Sequence, residues 1–79
     1  MITTNAIVKY TPPGDHCNAY MIVIYENGFD KYYKPDRLSK QFEVGNLKVE
    51  VTYRLTEKIH NCGFGGYVPI INIIKIQKQ

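Results

Sequence analysis

Apolar and polar residues alternate without exception over residues 47–55, the clearest pattern in this chain. Leucine, valine, valine, tyrosine and leucine occupy the odd positions, with lysine, glutamate, threonine and arginine between them. Successive side chains of a β-strand point to opposite faces of the sheet. The pattern therefore predicts a strand with one buried face and one face in water.

Two further strands are predicted before this one. Residues 5–11 form a short segment rich in β-branched side chains, which predicts a strand. The strand ends at the Pro-Pro-Gly cluster of residues 12–14, because that cluster cannot continue a paired strand. Residues 19–25 are almost all apolar, which is typical of a strand covered on both faces or packed centrally.

A tight turn at Asn27-Gly28 follows, because these residue types tolerate the positive φ angles of a type I′ turn. Residues 29–34 are therefore expected to return as an antiparallel strand. Asp36 is predicted to cap a short helical turn that places Leu38 and Phe42 on one face. Gly45 is expected to end that turn as a C′ residue.

Residues 68–78 predict the last strand, so the chain order is strand, strand, strand, short helix, strand, strand. This order favours a mostly β, single-domain fold over residues 1–79, a small five-stranded OB-like barrel. The loops 12–18 and 56–67 are then expected at one end of the barrel. That placement brings His16 and Cys17 close to His60 and Cys62.

The composition limits the protein to a small domain with a modest core. At 79 residues, the chain buries only about 60–65% of its unfolded surface, so a covalent or metal cross-link would help it. Ten basic and seven acidic residues give a net charge of +3, which neither requires nor excludes nucleic acid. No apolar run approaches the length of a membrane span, and no amino-terminal signal pattern is visible.

The two cysteines leave three interpretations open. A Cys17–Cys62 disulfide is favoured, and it would close a loop of about 45 residues and stabilise the fold by roughly 4 kcal/mol. A structural zinc site from His16, Cys17, His60 and Cys62 has suitable ligand types but spacing unlike that of familiar sites. Two free, partly buried thiols are the third interpretation.

No residue is predicted to be catalytic, and no cofactor is expected. Cys62 with His16 or His60 resembles a nucleophile with its base, but nothing in the spacing singles the pair out. The glycines of residues 63–66 precede a strand rather than a helix, which argues against a phosphate loop.

A ligand or nucleic-acid face is predicted mainly on the second and third strands, because OB barrels stack bases on aromatic side chains there. The alternative is that these tyrosines fill the barrel. Tyr32 and Tyr33 are neighbours and must point to opposite faces, so at most one of them enters the core. The predicted face comprises Tyr25, Phe29, Lys31, Tyr32, Tyr33, Lys34 and Arg37, with His16, His60 and Phe64 from the loops.

Two motifs, Tyr-x-Pro-x-x-Leu-x-x-x-Phe over residues 33–42 and Gly-x-Leu-x-Val-x-Val over 45–51, resemble small domains of bacterial envelope lipoproteins. The resemblance implies an exported or envelope β-barrel domain with one cysteine before the second strand and one before the last. We expect a non-enzymatic binding or structural module whose partner is an unidentified protein or small ligand. A single-stranded nucleic-acid-binding OB domain and a structural zinc domain are the alternatives.

Overall fold

The computed structural model describes residues 1–11, 19–61 and 66–79. The predicted order of strands and helix is confirmed, although several boundaries move. A single turn of 3-10 helix stands where the short helix was expected, at Lys40–Phe42. The strands are β1 (Ile2–Thr11), β2 (Ala19–Glu26), β3 (Phe29–Pro35), β4 (Leu47–Asn61) and β5 (Tyr67–Lys78).

The five strands close into a barrel in the order β1-β2-β3-β5-β4. Strand β1 pairs antiparallel with both β2 and β4, and β5 pairs antiparallel with β4. The ring closes where β5 lies parallel to β3, through the pairs Lys34–Ile70 and Pro35–Ile71. The prediction of a small five-stranded barrel is confirmed.

The alternating pattern of residues 47–55 is correct for most of its length. Val49, Val51 and Tyr53 are buried and Leu47 is half-buried, as expected. Leu55 is exposed, contrary to the pattern. Strand β1 begins at Ile2, opposite Tyr53, so no residue of β1 pairs with Leu55.

The core draws side chains from all five strands and from the 3-10 helix. Phe42 is buried in it, and Leu38, which precedes the 3-10 helix, packs against it. The apolar interior of such a small barrel is the main source of its stability. Its buried members are Ala6, Val8, Ile22, Ile24, Tyr33, Phe42, Val49, Val51, Tyr53 and Ile71.

The predicted capping of the helical turn is wrong. The N-cap residue is Ser39, and its side chain makes no capping hydrogen bond. Asp36 bonds β5 instead, because the chain leaves β3 directly beside that strand. The left-handed residue after the turn is Asn46, with φ of 63°, rather than Gly45.

The predicted loop 56–67 is wrong for residues 56–61 and for Tyr67, since β4 continues to Asn61 and β5 begins at Tyr67. Residues 62–65 of that prediction lie outside the described residues. A bulge at Glu57, with φ of 66°, interrupts the ladder, and pairing resumes at Ile59 opposite Pro69. Thr56 holds the bulge, because its hydroxyl donates to the Ile70 carbonyl at 2.7 Å and accepts from the Lys58 N–H at 3.1 Å.

The predicted turn at Asn27-Gly28 is confirmed. Asn27 and Gly28 have φ of 52° and 85°, and the flanking residues Glu26 and Phe29 pair directly. Two positive φ angles between paired strands define the tight hairpin that Asn-Gly favours.

The residues that border the β1–β2 and β4–β5 connections lie at opposite ends of the strands. Continuing the β2–β3 register places Ala19 level with Asp36, which follows the end of β3. Continuing the β3–β5 register places Tyr67 level with Lys31. Lys31 and Asp36 are five residues apart along the chain, roughly 16 Å of extended strand. The prediction that both connections share one barrel end is therefore wrong for the residues that border them. The cysteines, and hence the predicted disulfide, lie outside the described residues.

Candidate binding face

The barrel divides the predicted site residues between two faces. Val23 pairs with Tyr32 and Ile22 pairs with Tyr33, and cross-strand partners share a face. Because Ile22 belongs to the core, Tyr33 points inward and Tyr32 outward. The prediction that at most one of the two tyrosines enters the core is confirmed, and Tyr33 is removed from the candidate face.

Several other predicted residues also lie away from this face. Lys31 pairs with core residue Ile24 and Phe29 pairs with Glu26, so both follow the inward register. Both side chains are nevertheless exposed, and both lie near the tip of the β2–β3 hairpin. Arg37 is exposed after the end of β3.

The predicted loop residues contribute little to the described face. His60 lies in β4, paired with Val68, and is half-buried. His16 and Phe64 fall outside the described residues. What remains of the predicted set is Tyr25, Tyr32 and Lys34, which share the outer side of β2 and β3.

The outer face also includes residues of β1 and β4 that the sequence analysis missed. Ile7 pairs with Val23 on one side and with Lys48 on the other. Lys9 lies two residues beyond Ile7 and therefore projects from the same face. Strand alternation puts residues 5, 7 and 9 on one side of β1, and the register of the β1–β2 pair places that side beside Val23.

These residues line a shallow groove of about 310 Å³. Val23 is buried and Ile7 half-buried, so they form an apolar floor. Gln79 borders the groove, because its side-chain amide donates to the Asn5 side-chain oxygen at 2.6 Å. The groove is lined by Asn5, Ala6, Ile7, Lys9, Val23, Tyr25, Asp30, Lys48 and Gln79.

Tyr25 lines the groove, and Tyr32 lies beside it as the cross-strand partner of Val23. Tyr25 is 72% exposed and Tyr32 is 39% exposed. Tyr25 lies opposite Asp30, one cross-strand pair away from Tyr32 on the same face, so the two rings are diagonal neighbours. Diagonal positions are about 7–8 Å apart, within reach of aromatic side chains.

Positive charge predominates around the tyrosines. Lys9 and Lys48 line the groove, and Lys34 lies two residues beyond Tyr32 on the same face. Asp30 is the acidic residue of the groove lining. We name the surface formed by Lys9, Tyr25, Tyr32, Lys34 and Lys48 the tyrosine–lysine face.

A tyrosine pair lies on the inner side of the sheet. The Tyr33 hydroxyl donates to the Glu26 carboxylate at 3.2 Å, and the Tyr33 and Tyr53 ring centroids are 5.8 Å apart. Burial raises the pKa of Tyr33 to about 12, and the Glu26 charge adds to this shift. Burial, followed by the Glu26 charge, also raises the pKa of Tyr53. Both hydroxyls are therefore neutral at pH 7, and the Tyr33 hydroxyl keeps its hydrogen bond to Glu26.

Within residues 1–11, 19–61 and 66–79, no group of three or more His, Cys, Asp and Glu side chains is arranged to hold a metal ion. Three of the four predicted zinc ligands lie outside those ranges. No helix in the described part of the chain is long and apolar enough to cross a membrane.

Comparison with known families, characterised proteins and solved structures found no match for this chain. The resemblance to envelope lipoprotein domains therefore stays a prediction.

Proposed function

We propose that this barrel is a non-enzymatic binding module that holds single-stranded nucleic acid on the tyrosine–lysine face. The observation that carries the proposal is the exposure of Tyr25 and Tyr32 on adjacent strands, with lysines around them. Aromatic platforms with basic borders are the common feature of proteins that bind single strands without sequence preference.

The topology supports an OB-type interpretation of the barrel. The short helix lies between β3 and β4, and the strands close in the order β1-β2-β3-β5-β4. OB barrels bind oligonucleotides and oligosaccharides on the face of their second and third strands. Tyr25 and Tyr32 occupy those two strands. Fold analogy alone does not establish function, so the proposal depends on the face itself.

The chemistry of the face suits a nucleotide chain. Each tyrosine ring offers a flat surface on which a base stacks, worth about 1–3 kcal/mol per base. Lys9, Lys34 and Lys48 provide ammonium groups for phosphates, and the Asp30 carboxylate repels them. We therefore expect the backbone to follow the lysines while the bases lie over the rings.

Binding is tested by fluorescence anisotropy with a labelled oligothymidine at low salt. We expect a dissociation constant on the order of micromolar that rises with added salt, because bound phosphates release counterions. Tyr25→Ala and Tyr32→Ala should each weaken binding by about fivefold or more, since about 1 kcal/mol of stacking is lost. Tyr67→Ala is the matched control, because Tyr67 is similarly exposed but lies on β5.

The phosphate contacts are tested by the salt dependence of the same titration. Replacing Lys9 and Lys48 by Gln should reduce the slope of log K against log salt by about 1.4, or 0.7 per phosphate contact. Replacing Lys58 and Lys75 by Gln removes the same charge away from the face and should leave the slope nearly unchanged. A flat titration, or equal effects of both lysine pairs, would contradict the proposal.

A further inference from the structure

The two ends of the barrel are closed differently. The segment between β3 and β4 covers one end, where Phe42 and Leu38 pack on the core and the Asn46 N–H donates to the Val8 carbonyl at 2.7 Å. At the other end lie the first residues of β1, the β2–β3 hairpin and the second half of β4.

Apolar side chains collect at this second end. Ile2 pairs with Tyr53, Leu55 with Ile71, and Ile59 with Pro69. Because cross-strand partners share a face, Ile2 and Leu55 follow the register of the core. Phe29 follows the same register on β3. We name Ile2, Phe29, Leu55 and Ile59 the barrel mouth.

Two cavities open at the mouth and share Leu55. One, of about 420 Å³, lies beside Ile2 and Tyr53. The other, of about 330 Å³, lies between Tyr33, Ile59 and Pro69. The mouth is thus an indented apolar surface, and the Tyr33–Tyr53 ring pair lines it from the inside.

The exposed apolar area is large for so small a protein. Ile2, Phe29, Leu55 and Ile59 are 45%, 72%, 55% and 63% exposed. With about 200 Å² for a fully exposed aromatic side chain and roughly 120 Å² for an aliphatic one, the mouth presents roughly 350 Å² of apolar surface. Patches of this size on a monomer commonly mark interaction sites.

This area matches one half of a protein–protein interface. Homodimer interfaces are about 65% apolar, so roughly 350 Å² of apolar surface corresponds to roughly 550 Å² on each partner. The total of roughly 1,100 Å² is at the low end of specific interfaces and suits a reversible dimer.

The charges around the mouth favour a self-complementary contact. Arg54 lines one cavity, and Glu57 and Lys58 line the other. A two-fold contact places the same patch on both partners, so a patch that carries both signs can pair with itself. A strongly acidic or basic partner would find no matching field here.

We propose that the barrel mouth is the interface between two copies of this chain. The two-fold axis passes near Leu55, and the apolar side chains of each copy fill the indented mouth of the other. Glu57 of one copy lies near Lys58 of the second copy, and the reverse pair forms by symmetry. This surface is separate from the tyrosine–lysine face, so the proposal is independent of nucleic-acid binding.

Sedimentation velocity of the unmodified protein, without nucleic acid, tests the proposal over micromolar to submillimolar concentrations. We expect a reversible shift from 9.1 kDa to about twice that mass. Leu55→Asp and Ile59→Asp should each raise the dimer dissociation constant about tenfold or more. Tyr25→Asp, at a more exposed position on the outer face of β2, should leave the dimer dissociation constant unchanged.

Circular dichroism separates loss of the dimer from loss of the fold. Leu55 and Ile59 are more than half exposed, so their aspartate variants should keep the spectrum of the folded protein. As a second variant, Glu57→Lys should weaken the dimer through like charges, and adding Lys58→Glu should restore it. This rescue does not require any change in the core.

Three outcomes would overturn the proposal. The first is a mass of 9.1 kDa at every concentration. The second is a dimer that Tyr25→Asp disrupts as strongly as Leu55→Asp does. The third is a monomer that binds a neutral apolar dye, with binding lost in Leu55→Asp, which would identify the mouth as a pocket for a small apolar ligand.

Discussion

Tyr32 and Tyr33 are adjacent in the chain and have opposite surroundings. Tyr32 lies on the outer face, whereas Tyr33 is buried against Tyr53 and donates to Glu26 at 3.2 Å. The strand pleat requires that the two side chains point apart, but pairing with Ile22 determines that Tyr33 is the inward one. The same pairing leaves Tyr32 available for a ligand.

Tyr33 should make the fold sensitive to alkaline pH. Its pKa is about 12 in the folded protein, through burial and the Glu26 charge, against about 10 in an unfolded chain. The folded state therefore holds this proton more tightly, so the contribution to stability is complete below about pH 10 and is lost as the pH rises toward 12.

Melting temperatures measured from neutral pH to about pH 11 test this prediction. Tyr33→Phe should start lower, because the hydrogen bond to Glu26 is lost, but should fall less steeply with pH than the parent. Tyr25→Phe, at an exposed position, should follow the parent profile. Identical slopes in all three proteins would mean that Tyr33 does not titrate with unfolding.

At the scale of elements, two turns show how local chemistry acts. The β2–β3 hairpin requires positive φ at Asn27 and Gly28, and the segment before β4 requires it at Asn46. Gly45 has an ordinary φ, and neither Gly28 nor Gly45 has an atom within 4 Å of an added Cβ. The two glycines therefore differ in backbone conformation rather than in available space.

Alanine substitutions at the two glycines should have opposite effects. Gly28→Ala should lower the free energy of unfolding by about 1–2 kcal/mol, because an L side chain is strained in the left-handed region. Gly45→Ala should be neutral or stabilise by about 0.4–1 kcal/mol, since it restricts the unfolded chain. Urea unfolding measures both, and equal effects would show that φ is not the cause.

At the scale of the whole molecule, closure of the ring depends on a short contact between β3 and β5. Two residue pairs join these strands, and Asp36 extends the contact. The Asp36 N–H donates to the Ile71 carbonyl at 2.9 Å. Its carboxylate accepts from the Asn72 amide at 2.5 Å and the Ile73 N–H at 3.2 Å. The residue expected to cap a helix instead holds the barrel closed.

The Asp36 contact should weaken in acid. Burial alone would raise the pKa of this carboxyl, but the hydrogen bonds from Asn72, Ile73 and Arg37 lower it overall. A depressed folded pKa gives stabilisation that is present above the unfolded value of about 3.9 and is lost as the pH falls through the folded value.

Thermal unfolding from neutral pH down to about pH 2 tests the closure. Asp36→Asn should melt below the parent at neutral pH, and the difference should shrink at the acid end because the parent loses the same interaction. Asp30→Asn, at an exposed carboxylate on β3, should differ from the parent by a nearly constant amount. If the melting temperature of Asp36→Asn stays below that of the parent by the same amount in acid, the ionised Asp36 carboxylate is not the source of the stabilisation.

The sequence by itself determined the strand order, the Asn27-Gly28 hairpin and the buried side of residues 47–53. These features depend on local geometry, namely the two-residue pleat and the φ preferences of turn residues. It also located Tyr25, Tyr32 and Lys34 in the strands that form the candidate face, because their residue types suit stacking and phosphate contact.

Only the tertiary structure decided which neighbours these residues have. Register turned Tyr33 inward and placed Ile7 between Val23 and Lys48, so that Lys9 and Lys48 line the same groove as Tyr25. Asp36, expected as a helix cap, forms hydrogen bonds to β5 instead. Strand β4 continues past the bulge at Glu57 to Asn61. Leu55 is exposed at the mouth because β1 begins opposite Tyr53 and does not pair with Leu55. Each outcome depends on pairing between residues distant in the chain, and a one-residue change of register reverses the face of every side chain.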